Sequence, residues 1–292
     1  ARAGLDEALA SVPVMSIGSA APYLPCTHIR TDDLRASLAQ LAMVLSGRGR
    51  PTGVRVPDTV ARASLSPPQC DRDGIRYRDA VSALDAALPD DVDIVVDAGN
   101  TGAAAIHDLP VRRSGRFVVA LGMGGMGFSF GAAIGMAFGR AGDRGPARRI
   151  VVVAGDGAFF MHGMEVHTAR EYRLPITFVL FNNNAHAMCV TREQLYYREL
   201  YSYNRFAPSR LGAGLAAMFP GLPAGDVHEM SQLPHALRSA LAVDGPSVVT
   251  VECSADEIPP FAPFLTALRQ SSDADSGTST PEENAHHVAA RA

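Results

Sequence analysis

The sequence predicts an α/β fold: a doubly wound, mostly parallel sheet, preceded by part of another α/β segment and followed by a disordered C-terminal tail. Three observations predict it. Short apolar runs at 93–97, 117–121, 150–154, 176–181 and 247–251 have the length and aliphatic content of buried strands. Segments at 127–140, 163–173, 209–218 and 231–243 read as helices between them, and such alternation implies parallel pairing with both faces covered. Finally, Gly155-Asp156-Gly157 and Asn182-Asn183 each follow a strand, with 24 residues between Gly157 and Asn182, room for a turn, a helix and the next strand. Both clusters should therefore emerge on one edge of the sheet and face each other.

In chain order, residues 1–65 read as the end of a preceding α/β domain. Within it, 31–45 is an amphipathic helix, with Leu34, Leu38, Leu41 and Leu45 on one stripe and Thr31-Asp32-Asp33 supplying the cap and first-turn charge. Ser46-Gly47-Arg48-Gly49-Arg50-Pro51 makes a turn into a short strand at 53–56, ended by Pro57. Residues 66–73, with Pro67-Pro68 and several polar residues, form a linker. The main domain covers 74–268; it opens on a helix whose stripe is Tyr77, Val81, Leu84 and Leu88. Residues 269–292, rich in Ser, Asp, Glu and Ala, bury too little apolar surface to offset ordering entropy, so the tail should be disordered.

Length and composition bound the function. A chain of 292 residues with 47% hydrophobic content can bury one full domain and part of a second. Its net charge of −4, from 26 basic and 30 acidic residues without a basic block, points to no nucleic acid partner. There is no bilayer-length apolar run and no signal-peptide pattern, so no membrane association and a soluble protein are expected. Cys26, Cys70, Cys189 and Cys253 lack Cys-x-x-Cys pairing, which argues for a reducing compartment, with the cytoplasm as default, and against zinc. The first residue is Ala1 rather than Met, so the sequence reads as a processed chain or a fragment.

An acidic side chain, Asp156, and an amide, Asn183, at neighbouring strand ends are hard oxygen ligands for a small cation such as Mg²⁺, whose octahedron is completed by phosphate oxygens and water. The expected ligand is a diphosphate. A buried Asp capping a helix beside an Asn-rich turn is the plainer alternative. A competing motif is Gly122-Met123-Gly124-Gly125-Met126-Gly127, which matches Gly-x-Gly-x-x-Gly and by itself suggests an NAD- or FAD-binding oxidoreductase. That reading lacks an acid at the end of the following strand, since Asp143 lies in the loop before it.

Gly155-Asp156-Gly157 followed by Asn182-Asn183 resembles the cofactor fingerprint of thiamine diphosphate (ThDP) enzymes. Asn182 to Met188 is similar to the corresponding turn of acetolactate-synthase-type members, and the likeness runs from about Gly74 to Leu265. The resemblance implies Asp156 and Asn183 as side-chain ligands of Mg²⁺ and the Ala185 carbonyl as a third. Gly155 and Gly157 flank the ligand, and the N–H groups of Gly157 and Ala158, opening a helix, would face the diphosphate. It makes Met126 the apolar prop that bends the cofactor and the Gly124 carbonyl the acceptor from its aminopyrimidine; core filling is the alternative for Met126. Asn100 and Thr101 would donate to phosphate, although the family often has Gln and His there and a plain turn is the alternative. His186 and Met188 would look toward the thiazolium, whereas His162, Glu165 and His167 read as structural.

What the resemblance implies is a ThDP- and Mg²⁺-dependent decarboxylase or carboligase, acetolactate-synthase-like, acting on a 2-oxo acid. Residues 1–65 are similar to the tail of the family's pyrimidine-binding domain, an arrangement also seen in sulfopyruvate and phosphonopyruvate decarboxylases; the end of a middle domain is the competing match. The family's glutamate that pairs with the pyrimidine N1′ has no counterpart in residues 1–30. No catalytic side chain is therefore assigned, and the chain is expected to need a missing segment or a pyrimidine-domain partner in a homo- or hetero-oligomer. A non-catalytic ThDP-fold subunit is the alternative.

Overall fold

Six parallel strands, side by side in the order Phe117–Val119, Asp93–Val96, Ile150–Gly155, Ile176–Asn182, Ser247–Glu252 and Ala224–Val227, form the sheet at the centre of the larger of two compact units, residues 64–292. The computed structural model describes residues 12–49, 65–111, 114–121, 123–140, 148–198 and 200–276, without side chains for 271–276.

The smaller unit, residues 1–63, contains β1 (Met15–Gly18) paired in parallel with β2 (Thr27–Arg30), then α1 (Leu34–Ser46). Asp33 caps α1, its side chain accepting from the Ala36 amide at 2.9 Å. The helix agrees with the leucine spacing. Its stripe is nonetheless exposed, Leu34, Leu38, Leu41 and Leu45 each remaining more than a third accessible. The strand expected at 53–56 lies outside the described residues.

In the larger unit the elements run α2 (Tyr77–Ala87), β3 (Asp93–Val96), α3 (Asn100–Asp108), β4 (Phe117–Val119), α4 (Phe128–Arg140), β5 (Ile150–Gly155), α5 (Asp156–His162), α6 (Glu165–Glu171), β6 (Ile176–Asn182), α7 (Ala187–Tyr196), α8 (Leu211–Met218), β7 (Ala224–Val227), α9 (Leu233–Leu241), β8 (Ser247–Glu252) and α10 (Ala262–Ser276). Successive strand residues alternate between two cores, as the pleat requires. Ile94, Val96, Val151, Val153, Val179, Phe181, Val249 and Val251 pack on one face with α2, α3 and α9. Val95, Ile150, Val152, Ala154, Ile176, Phe178, Leu180 and Val248 pack on the other with α4, α5, α6 and α8. Both faces are covered, which is why these strands read as unbroken apolar runs. The α2 stripe of Tyr77, Val81, Leu84 and Leu88 is buried as its spacing predicts.

Phe264 and Leu265 are buried and anchor α10, which continues through Ser276, past the boundary at 268 and into the segment predicted to be disordered. No Gly or Pro interrupts the chain between Pro263 and Gly277, so nothing breaks the helix once it is anchored. Residues 277–292 lie outside the described residues. Among the described residues no helix is long and apolar enough to cross a membrane.

Candidate cofactor and metal site

Strand order places the site. The chain leaves β3 for β4 on one side, then returns to β5 on the other, so the connections after β3 and β5 diverge and open a crevice at their C-terminal ends. Asp97, Asn100 and Thr101 follow β3, and Gly155, Asp156 and Gly157 follow β5. The β5–β6 register sets Gly155 opposite Phe181, which brings the asparagine turn alongside.

Asp156 is 1% exposed. Its Oδ1 accepts the amide of Gly157 at 2.9 Å and its Oδ2 that of Ala185 at 3.1 Å, so one carboxylate ties the two motifs together. Burial pushes its pKa up to about 7, against the lowering effect of these amides, first that of Gly157. The Gly157 N–H, expected to be free for phosphate, is thus donated to Asp156 itself. Ala158, next in α5, is buried as well.

The three asparagines take different partners. The Asn182 Nδ2 donates to the Ser209 carbonyl and to the Glu252 carboxylate. Asn184, at φ 53°, accepts from the Ser209 amide at 2.8 Å. Asn183 turns to the opposite face of β6, where its Nδ2 donates to the Tyr77 hydroxyl at 2.7 Å. The Asn183 Oδ1 is buried without a partner. An orphan buried oxygen on a turn whose Ala185 amide is held by a buried carboxylate fits a cation, which would supply the charge and coordination that burial withholds. Among the described residues no group of three or more His, Cys, Asp and Glu side chains could hold a metal. One carboxylate with amide and carbonyl oxygens, completed by ligand oxygens, is the donor set of Mg²⁺.

Around this centre the glycine turn after β4 is held by Asp97, whose Oδ1 and Oδ2 accept from the amides of Gly127 and Ser129, each at 2.9 Å. These are the amides a dinucleotide pyrophosphate would need at the start of α4, and β4 is an edge strand. The dinucleotide reading fails on both counts. Met126 instead reaches the crevice: a Cβ on Gly157 would lie 2.9 Å from its methyl and 2.6 Å from the His186 Nδ1. His186 sits edge-on to Phe206, 4.6 Å between centroids, and its Nδ1 is buried without a partner. Met188, half-buried, lies in the first turn of α7. Gly124 is exposed at φ 65°.

Asn100 is placed differently from expectation. It is buried, and its Nδ2 donates to the Thr191 hydroxyl and the Glu257 carbonyl, tying α3 to α7 and leaving the Oδ1 unpartnered. Thr101 lies against Gly155, its hydroxyl 3.5 Å from where a Cβ would stand. His162 and Glu165 line a cleft of about 400 Å³ with Met126, Gly127, Phe128 and Gly131, while His167 packs on Phe219. Tyr77, Asp97 and Glu257 are the participants sequence reasoning missed; no motif signals them.

Residues 97–251, more than half the chain, match the family described as thiamine pyrophosphate enzyme, C-terminal TPP binding domain. The chain is 30% identical over 208 residues to the acetolactate synthase large-subunit homologue IlvB2 of Mycobacterium tuberculosis, covering 69% of this chain and 35% of that protein. It is 29% identical over 177 residues to the acetolactate synthase isozyme 2 large subunit of Escherichia coli, covering 61% of this chain and 31% of that one. It therefore spans about a third of the length of these relatives. The fold is similar to the crystal structure of benzoylformate decarboxylase from Polynucleobacter necessarius, with a TM-score of 0.66 at 18% identity over 87% of this chain and 52% of that one. The match across both strand ends of the crevice shows that this chain belongs to the thiamine pyrophosphate enzymes and carries their C-terminal TPP-binding domain.

Proposed function

We propose that this chain is the diphosphate-binding part of a ThDP- and Mg²⁺-dependent 2-oxo acid decarboxylase or carboligase of acetolactate synthase type. The observation that carries the proposal is that the buried Asp156 carboxylate, at the switch-point crevice, holds the asparagine turn through the Ala185 amide, and that this turn carries the unpartnered Asn183 Oδ1. Asp156, Asn183 and the Ala185 carbonyl would hold the cation, and Thr101, Gly155 and the Ala158 amide would border the diphosphate. Met126 and the Gly124 carbonyl would orient the cofactor's rings, with His186 and Met188 lining the approach of substrate and excluding water. When bound, ThDP supplies an electron sink for the carbon–carbon bond broken in a 2-oxo acid. The span of about a third of the relatives' length supports a further requirement: a pyrimidine-type domain, from additional chain or a partner subunit, completes the site within an oligomer.

Calorimetry of ThDP binding with and without Mg²⁺, on the wild type and on Asp156→Ala, tests the site. Mg²⁺-dependent binding that disappears in the variant is expected. Binding indifferent to Mg²⁺, or none even with a pyrimidine-domain partner added, overturns the proposal.

A further inference from the structure

We propose that Tyr77 is a positioning residue for the cation site: its phenolic oxygen receives the Asn183 amide hydrogen and leaves Oδ1 as the end of that side chain free to ligate. This rests on the reading of Asp156 and Asn183 as cation ligands. Tyr77 opens α2, far from either motif in sequence, and is fully buried. It is held from several sides. Its ring stacks on Phe181, with centroids 5.8 Å apart and planes 24° apart, and its amide donates to both carboxylate oxygens of Glu257 at 3.0 and 3.2 Å. Phe181 precedes Asn183 by two residues, so ring and amide lie on one side of the strand's course.

A buried primary amide has two unlike ends, and each needs a partner when water is excluded. Oxygen can face a cation only if the N–H end is satisfied elsewhere. The bond of 2.7 Å to Tyr77 does that, while Asn182 and Asn184 spend their amides on Ser209 and Glu252. An ordinary core tyrosine would be equally buried; what distinguishes this one is that the other end of its partner is an orphan oxygen on the turn whose Ala185 amide Asp156 holds.

The test is Mn²⁺ uptake by the full chain in the presence of ThDP, followed by electron paramagnetic resonance, with Mg²⁺ calorimetry beside it. Tyr77→Phe keeps the stacked ring and removes only the acceptor, and cation affinity should fall by about tenfold to a hundredfold. In an Asn183→Asp background either carboxylate oxygen can ligate and no N–H needs placing, so the same Tyr77→Phe change should alter affinity by no more than about twofold. Equal losses in both backgrounds, or wild-type affinity in Tyr77→Phe, would overturn the positioning role while leaving the site intact. Failure of the wild type to take up Mn²⁺ even with a pyrimidine-domain partner added would overturn the site reading and this inference with it.

Discussion

The carboxylate of Asp97, at the end of β3, accepts the amide hydrogen of Gly127 at 2.9 Å and so fastens the turn after the edge strand to the crevice between β3 and β5. Its second oxygen takes the Ser129 amide, which makes Asp97 the cap of α4 from outside the local sequence. Asp97→Ala would leave two buried amides without acceptors. The expected cost is about 3 kcal/mol of unfolding free energy in urea titration, with Asp97→Asn losing about half of that because one acceptor remains. Equal stability of wild type and Asp97→Ala would show that the turn carrying Met126 is held by something else.

Two glycines near the crevice should respond differently to alanine. At Gly102 a Cβ would lie 2.3 Å from the Asp97 carbonyl oxygen, a backbone atom that cannot yield without moving β3 against α3. Gly102→Ala should cost about 3 kcal/mol, read from thermal or urea unfolding. At Gly157 the obstructing atoms are ends of side chains, the Met126 methyl and the His186 ring, which can rotate away. Gly157→Ala should therefore remain within about 1 kcal/mol of wild-type stability. Its ThDP affinity should drop, because Met126 and His186 are displaced. Calorimetry on both variants separates the two effects.

What the sequence discloses here is whatever is local. The strand runs are legible because both faces are buried, and Asp156 and Asn183 because each sits in a short motif at a strand end. Strand β7, Ala-Gly-Asp-Val, is not: Ala224, Gly225 and Asp226 are poor strand formers, and it exists as an edge beside β8. Tyr77, whose hydroxyl meets Asn183 across 106 positions, looks in sequence like one more apolar-stripe residue. Asp97 looks like a turn residue, and its capping of α4 cancels the dinucleotide reading of the glycine run. The helix through Ser276 was hidden because composition registers the polar tail but not its anchorage through Phe264.

Glu257 should imprint itself on the pH dependence of stability. It is 3% exposed, and burial pushes its pKa up to about 7, with the Tyr77 amide and Arg76 opposing. The folded-state value thus lies above the unfolded one, near 4.3. Between these values the unfolded chain gives up its proton while the folded chain keeps it, so stability from this group declines as pH rises from about 4 to about 7 and is level above. The full span is about 4 kcal/mol. Glu257→Gln should lack this decline, so its stability relative to wild type should increase across that range in urea unfolding at successive pH values. A difference independent of pH would mean that Glu257 is ionised in the folded protein throughout.

Glu193 organises the segment that backs the asparagine turn. Its Oε1 accepts from the Ser202 hydroxyl at 2.5 Å, the Ser202 amide at 3.1 Å and the Asn204 side chain at 2.8 Å. Asn204 in turn accepts the His186 amide at 2.8 Å, and Phe206 donates to the Asn184 carbonyl at 2.7 Å. One carboxylate on α7 therefore fixes the loop that closes over the proposed metal ligands. Glu193→Ala removes three bonds at the loop but none within the sheet. The fold should survive, while the His186 and Phe206 amides exchange with solvent about tenfold to a hundredfold faster, as expected for local opening eased by about 1.4 to 2.8 kcal/mol. Hydrogen exchange resolved by residue checks this. Unchanged protection at His186 would mean that its bond to Asn204 stands without Glu193, and uniform loss across β5 and β6 would place the carboxylate in the global fold rather than in the loop.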